Sequence, residues 1–130
     1  MKKPSSTEST NAPVSAATDE HYVLLRHGNT PLRFRGCEIG EGIDQRVTND
    51  FFRRVTLFRT TGGNYVAQTV FDAAFKERVE YAAHRANTAD DIIAWLRDPE
   101  GVLGWAATMA LLIAAKNDPG FAAAYGEDVP

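Results

Sequence analysis

The sequence predicts an α+β domain, in which an antiparallel meander of three to five strands is covered on one face by C-terminal helices. β-prone runs separated by turn residues extend from about residue 21 to residue 85, and helical segments with capping residues follow Thr88. A run of strands followed by a run of helices is typical of this class. The composition, 44% hydrophobic and 24% charged, is that of a folded globular protein.

The first residues are predicted to stand outside the fold. Residues 1–19 are rich in Ser, Thr, Pro and Asn, and they contain no apolar stretch of the kind that a secretory signal requires. We expect a disordered tail over residues 1–19 and a single domain over residues 20–130. About 110 residues are enough to bury one modest hydrophobic core.

Two strands are predicted in the N-terminal part of the domain. Residues 21–27 form a short apolar run, the cluster Gly-Asn-Thr-Pro at residues 28–31 predicts a turn, and residues 32–39 alternate as a second strand does. Glycines and a Thr-Asn-Asp cluster interrupt the pattern after that point. We therefore expect residues 40–52 to be a connecting loop, with a helical turn near Phe51.

The central hairpin is the clearest local signal in the chain. Residues 55–71 form two runs rich in Val, Phe, Thr and Tyr, and the runs are hinged on Gly62 and Gly63. Paired glycines supply the positive φ angles that tight hairpin turns need. The sequence therefore predicts two adjacent antiparallel strands at the centre of the sheet.

The register of this hairpin depends on the length of its loop. A three-residue loop with Asn64 in the left-handed conformation would place Leu57 opposite Thr69. A loop of two or four residues would place Leu57 opposite Gln68. We expect the three-residue loop, because it gathers the apolar side chains better on one face.

Residues 73–86 fit two structures. As a helix, the segment aligns Phe75, Val79 and Ala82 on one face, and its alanine content favours that conformation. As a strand from Arg78 onward, it supplies the third strand that an isolated hairpin needs for stability. We expect the strand, because the segment directly follows the hairpin.

Two helices are predicted after the strands. Thr88 caps the first, Asp90 and Asp91 lie at its positive end, and Pro99 ends it. The second extends over residues 102–116 and is apolar almost all round. It is therefore expected to be a core helix, or a core helix that also forms an interface.

Small residues recur along this second helix. Ala106, Ala110 and Ala114 stand at every fourth position and form a stripe that would let another element approach closely. Asp118 and Pro119 then open a final turn. We expect another element to lie close to this stripe.

Charge and cysteine content narrow the functional classes. Fourteen Lys and Arg residues against 17 Asp and Glu residues give a net charge of −3, which provides no global attraction to nucleic acid. Cys37 is the only cysteine, so no intramolecular disulfide can form, and we expect a reducing, cytoplasmic location. The uncharged run at residues 102–115 is shorter than the roughly 20 residues of a membrane-spanning helix.

A series of arginines in the first half of the chain is the local exception to the acidic balance. If they share one face of the sheet, they would bind phosphate groups, and nucleic-acid binding is therefore one alternative function. The predicted partner-binding residues are Arg33, Arg35, Arg53, Arg54, Arg59 and, on the second helix, Trp105.

The segment Leu-Arg-His-Gly-Asn-Thr at residues 25–30 ends the first predicted strand. It resembles the opening signature of the histidine phosphatase superfamily, an Arg-His-Gly-x-Thr segment. The resemblance implies that His27 would take the phosphoryl group while Arg26 and Thr30 bind phosphate, with Arg85 as a further phosphate-binding arginine. The late His-Gly pair of that family has no counterpart in this sequence. A phosphohydrolase is the enzymatic alternative.

A longer pattern combines the Leu-Phe-Arg-Thr and Gly-Gly-Asn-Tyr-Val segments of the hairpin with a strand around Tyr81 and a helix that starts at Thr88 and carries Trp95 and Leu96. This pattern, over residues 32–97, resembles small proteins carried on bacterial plasmids and phages. It implies an accessory protein of a mobile element that acts by binding.

The sequence shows no converging acid, base, nucleophile or metal-ligand set, and we expect no cofactor. The three histidines and the single cysteine are too few and too scattered to form a transition-metal site. The leading hypothesis is a non-enzymatic cytoplasmic interaction module. It would bind a protein partner or itself, through the apolar helix at residues 102–115 or through an exposed sheet edge.

Overall fold

The computed structural model describes residues 19–46, 50–73 and 79–126. Within them, one antiparallel sheet contains five strands in chain order: β1 (Glu20–Leu24), β2 (Leu32–Arg46), β3 (Phe51–Thr60), β4 (Tyr65–Ala73) and β5 (Glu80–Ala86). The helices that follow are α1 (Ala89–Leu96), α2 (Trp105–Asn117) and α3 (Pro119–Ala124). The predicted α+β class, a meander with C-terminal helices packed on the sheet, is confirmed. The predicted tail lies outside the described residues, apart from Asp19.

The sheet curls, so that the chain after β1 meets β5. The backbone N–H of His27 donates a hydrogen bond to the carbonyl oxygen of Tyr81 at 3.1 Å. The concave face encloses a small apolar cluster around Leu24, Phe58 and Val66, with aromatic rings beside them. The helices pack on the opposite, convex face of the sheet.

The predicted loop at residues 40–52 is wrong for residues 40–46 and 51–52, whereas residues 47–49 lie outside the described residues. β2 continues to Arg46, and β3 begins at Phe51 without a helical turn. A bulge between Glu38 and Gly40 shifts the register there, so the alternation read from residues 32–39 does not continue unbroken. The glycines that suggested a loop lie inside the strand for a different reason, the close approach of α2.

α2 lies directly on the glycines of β2. A Cβ atom at Gly40 would overlap the Ala110 carbonyl oxygen, and one at Gly42 would overlap that of Ala106. Ala106, Ala110 and Ala114 are all buried on the helix side of the contact. The predicted close approach at this stripe of small residues is therefore confirmed, and its partner is the sheet.

The central hairpin has the predicted three-residue loop, but the loop begins one residue earlier. Thr60 N–H donates to Asn64 O at 2.8 Å, and Gly63 adopts the positive φ of 87°. Glycine accepts this conformation without the steric cost of a Cβ atom, so Asn64 is not needed for it. Leu57 consequently pairs with Ala67, and both expected partners were wrong.

The same shift preserves the predicted faces. Moving the loop by one residue changes the pairing by two, and side chains alternate with a period of two along a strand. Val55 and Leu57 therefore still point to the helices, where both are buried.

The strand interpretation of residues 73–86 is confirmed for the part that the structure describes. β5 begins at Glu80 and pairs antiparallel with β4, whereas residues 74–78 lie outside the described residues. The predicted capping of α1 is also confirmed, because the Thr88 side chain accepts from Asp91 N–H at 3.2 Å. α2 begins at Trp105, three residues after the predicted start.

The helices of the described residues are short. The longest, α2, has 13 residues, and none within residues 19–46, 50–73 and 79–126 is both long and apolar enough to cross a membrane.

Candidate functional site

The outward side of α2 carries an exposed apolar surface, which we call the outer stripe: Trp105, Met109, Leu112 and Ile113. Trp105 is 60% exposed, Leu112 46% and Ile113 37%, and Met109 is partly exposed. The positions follow the spacing i, i+4, i+7 and i+8, which places them on one side of a helix. Two turns of α2 thus present large apolar side chains to solvent.

The outer stripe exists because α2 is apolar on both sides. Its buried side consists of small residues and Leu111, which pack on β2 and β3. An amphipathic surface helix would carry charged residues on the other side, yet Lys116 is the only charged residue in α2. A helix that is apolar all round is typical of a buried position, and this one is buried on one side only.

A second candidate is a cavity of about 650 Å³ on the helix-bearing face, which we call the strand-end cavity. It opens where β3, β4 and β5 extend beyond the first turn of α2 and the last turn of α1. Its described lining includes Arg53, Thr69, Phe71, Ala82, Trp95 and Leu96. Cavities of this size and mixed lining are typical of small-molecule sites.

Arg53 is the cation of the strand-end cavity. Its guanidinium carbon lies 4.7 Å from the centre of the Phe71 ring and 5.6 Å from that of Phe51. Asp44 stands opposite Arg53 in the sheet, but its carboxylate pairs with Arg46 at 3.1 Å. Among the residues that the structure describes, no carboxylate lies within ion-pairing distance of Arg53.

Glu80 and His27 line the same cavity on its other side. Glu80 pairs with Phe71 in the sheet, so Phe71 separates it from Arg53 in one cross-strand row. The His27 ring meets the Tyr81 ring edge-on, with 5.6 Å between their centres. The cavity therefore has a cationic side at Arg53 and an anionic side at Glu80, with aromatic rings between them.

The residues implied by the phosphatase resemblance are divided between two cavities. Arg26 and Arg85 line a separate cavity of about 870 Å³ beside β5 and α1, which His27 does not line. The Arg26 Nε–H is engaged by the carbonyl oxygen of Thr30 at 2.8 Å. The geometry does not bring imidazole and both guanidinium groups around one point.

The arginines predicted to bind partners do not all lie on one face of the sheet, and those that do are spread along it. Arg53 and Arg54 are successive residues of β3, so they point to opposite faces of the sheet, and the Arg54 Nε lies 4.0 Å from a Glu41 carboxylate oxygen. Arg33 and Arg35 lie on the hairpin formed by β1 and β2. Arg59 is six residues, or about 20 Å, along β3 from Arg53.

Arg59 belongs to a buried network around Asp118. The Asp118 carboxylate is 1% exposed and accepts from Arg59 Nη1 at 2.7 Å, from Tyr65 Oη at 2.7 Å and from Phe121 N at 3.1 Å. Burial, and then the hydrogen bond to Asp118, raise the pKa of Tyr65 to about 12. This network caps α3 and attaches it to the sheet, so Arg59 has a structural partner.

Cys37 is buried, and burial is the largest cause that raises the pKa of its thiol. Across residues 19–46, 50–73 and 79–126, no three His, Cys, Asp or Glu side chains converge as a metal site requires. Trp105 alone among the predicted partner-binding residues lies on the outer stripe.

The strand-end cavity was not found from the sequence. Its lining comes from three strands and two helices that are distant in the chain, and no short motif joins them. The only local signal near this cavity is the β-prone alternation around Arg53. Such alternation indicates which side chains share a face of the sheet, but it does not indicate a cavity.

Comparison of the chain with protein-family models, with curated proteins and with solved structures gave no match. Inference about function therefore depends on the outer stripe and the strand-end cavity themselves.

Proposed function

We propose that the protein is a self-associating binding module, in which the outer stripe of α2 pairs with the same stripe of a second copy. The observation that supports this most directly is the exposure of Trp105, Leu112 and Ile113 on a helix whose other side is fully packed. Contiguous apolar side chains on a surface mark interaction sites. Aromatic residues such as Trp are enriched among the residues that contribute most to binding.

A second copy is favoured because the outer stripe is complementary to itself when two helices run antiparallel. We place the two-fold axis that relates the copies at the midpoint of the helix segment from Trp105 to Lys116. Met109 of each copy then faces Leu112 of the other. Thr108 likewise faces Ile113, and the contact repeats on both sides of the axis, as in an isologous interface. The paired length from residue 105 to residue 116 is about 17 Å.

Charge favours the antiparallel orientation. Lys116 is the only charged residue in α2, and it lies in the last turn. A parallel pair would bring the two lysines together, whereas the antiparallel pair places each ammonium group beside Trp105 of the other copy. An ammonium group over an indole ring is a favourable contact. The opposed helix dipoles add to this preference.

The proposed setting is the cytoplasm, and it is supported by the free thiol of Cys37, which a reducing compartment preserves. A role as an accessory protein of a plasmid or phage, which the resemblance over residues 32–97 implies, would be exercised through the same outer stripe.

Sedimentation and light scattering over a range of protein concentrations test self-association. We expect a reversible dimer for the wild type and a monomer for Leu112→Glu, with the dimer dissociation constant raised at least about 30-fold. Leu25→Glu is the matched control, because Leu25 is an apolar residue of similar exposure, 52%, that follows β1 and does not belong to α2. A wild type that stays monomeric, or equal effects of the two substitutions, would overturn self-association through α2.

Cysteine cross-linking tests the orientation. When Thr108→Cys and Ile113→Cys proteins are mixed under mild oxidation, antiparallel helices give mainly the mixed disulfide-linked dimer. Parallel helices would instead link each variant to itself. Because Cys37 is buried, the native thiol does not compete. Mainly self-linked products would overturn the antiparallel arrangement.

A further inference from the structure

The strand-end cavity has features of a ligand site that the pairing of α2 does not use. Its volume, about 650 Å³, lies within the range of small-molecule pockets. The cavity is a consequence of the fold, because α2 begins only at Trp105 and no helix of the residues that the structure describes fills the space between Arg53, Phe71 and Trp95.

The apolar part of the cavity suits an aromatic ring. Phe71, Trp95 and Leu96 form its sides, and small side chains such as Ala82 and Ala107 leave space at its base. The Trp95 ring is held in place by stacking with His84, with 5.2 Å between ring centres and 9° between planes. A ring fixed in this way offers a preformed surface for a flat ligand.

The polar part of the cavity suits one negative charge. Arg53 has no carboxylate within ion-pairing distance among the described residues, and the aromatic rings of Phe51 and Phe71 hold its guanidinium. The Arg53 Nη1 lies 4.0 Å from the point that a Cβ atom at Gly104 would occupy, so glycine leaves the approach open. A planar guanidinium binds a carboxylate through two parallel hydrogen bonds.

We propose that the strand-end cavity binds a small aromatic monocarboxylate, with the ring between Phe71 and Trp95 and the carboxylate on Arg53. A ligand with two or more negative charges is disfavoured, because Glu80 lies on the other side of the same cavity. A phosphate group is disfavoured for the same reason, and a single arginine is a small counter-charge for it. The ligand is thus amphipathic, with one acidic group at one end.

Titration of the ¹⁵N-labelled protein with 2-naphthoate tests the site by nuclear magnetic resonance. We expect saturable shifts at the backbone amides of Ala82 and Leu96 and at the indole N–H of Trp95. The indole N–H of Trp105 lies on the outer stripe and is expected not to shift. The two tryptophans thus report the cavity and the α2 surface separately, so failure of one proposal is distinguishable from failure of the other.

Substitutions and ligand analogues test the recognition of the carboxylate. Arg53→Gln is expected to weaken binding of 2-naphthoate about 10- to 100-fold. Arg54→Gln is the matched control, because the neighbouring residue points to the opposite face of the sheet, and it is expected to bind as the wild type does. The neutral analogue 2-naphthamide is expected to bind as weakly to the wild type as 2-naphthoate does to Arg53→Gln.

Four results would overturn the assignment. Two concern the resonances: an absence of shifts at Ala82, Leu96 and Trp95, or shifts confined to Trp105. The third is equal binding of 2-naphthoate and 2-naphthamide. The fourth is tighter binding of the cation 2-naphthylmethylamine, with that binding lost in Glu80→Gln. The last result would show that the anionic side of the cavity selects the ligand.

Discussion

Gly42 of β2 and Ala106 of α2 are in backbone contact, so that a Cβ atom at Gly42 would overlap the Ala106 carbonyl oxygen. The same Cβ atom would lie 2.8 Å from the backbone nitrogen of Ala110. Neither neighbour can move away as the end of a flexible side chain could. The position of α2, and with it that of the outer stripe, therefore requires a residue without a Cβ atom at Gly42.

Gly42→Ala is expected to destabilise the protein by about 1–3 kcal/mol, because α2 must shift away from β2. The measurement is the free energy of unfolding in urea. Gly62→Ala is the control, since a Cβ atom there meets nothing closer than 3.9 Å, and it is expected to change stability by less than about 1 kcal/mol. Equal effects of the two substitutions would contradict the close approach of α2.

The same pair of residues shows what the sequence could and could not predict. The stripe Ala106, Ala110 and Ala114 predicted a close neighbour correctly, because small side chains at every fourth position have few other uses. The glycines of β2 were interpreted as loop residues, since glycine is depleted in strands. The glycines of β2 and the alanines of α2 are explained only by the contact between the two segments. No local sequence pattern predicts that contact.

The two candidate sites also differ in how far the sequence predicts them. Trp105 and the apolar helix were predicted as a binding surface, because an apolar run that is too long for one face can be recognised in the sequence. Arg53 was predicted only as one of several arginines. Its distinction from Arg54 and Arg59 comes from the pairing of strands and from Asp118, which is 59 residues away from Arg59.

Asp118 is expected to contribute more to stability than other acidic residues at helix starts. Asp118→Asn replaces one acceptor oxygen by an NH2 group, which is a donor. Inside the protein this group would face another donor, either the N–H of Arg59 or the O–H of Tyr65. We expect a loss of about 2–4 kcal/mol in the free energy of unfolding. Asp90→Asn is the control at the exposed start of α1, where the loss is expected to stay below about 1 kcal/mol.

A double-mutant cycle separates this network from simple capping of α3. Tyr65→Phe alone is expected to cost about 1–2 kcal/mol, and combined with Asp118→Asn it should cost less than the sum of the two. Additive losses would show that the hydroxyl group of Tyr65 and the carboxylate of Asp118 act independently.

Stability is expected to fall at alkaline pH because of two tyrosines. Burial is the main cause that raises the pKa of both Tyr22 and Tyr65 to about 12, from 10.0; Glu20 adds to it at Tyr22 and Asp118 at Tyr65. Above pH 10 the unfolded chain releases these protons while the folded protein keeps them, so unfolding becomes easier as the pH rises to about 12. Below pH 10 the two groups add no pH dependence.

The free energy of unfolding, measured from pH 8 to pH 12, tests this effect. The decline above pH 10 is expected to be shallower in Tyr22→Phe and in Tyr65→Phe, and shallowest in the double variant. Ultraviolet absorbance of tyrosinate should show the same delay in the folded wild type. An unchanged slope in the double variant would contradict the assignment to these two phenol groups.

Cys37 is expected to react slowly with thiol reagents while the protein is folded. The residue is 8% exposed, and burial raises the pKa of its thiol, although Arg59 nearby opposes that shift. Both effects reduce the reaction, because the thiolate is the reactive form and the reagent must reach it. The rate of modification should therefore be set by opening of the hydrophobic core that contains Cys37, and not by the intrinsic reactivity of a free thiol.

Thiol release from a disulfide reagent at pH 8 measures this reaction, with Thr61→Cys as the comparison. Thr61 is exposed at the tip of the neighbouring hairpin, so its variant should show one fast thiol and one at least about 100-fold slower. Urea should accelerate only the slow phase, and Asp118→Asn should accelerate it in native conditions by loosening α3. A single fast phase for both thiols would mean that Cys37 is accessible in the folded protein.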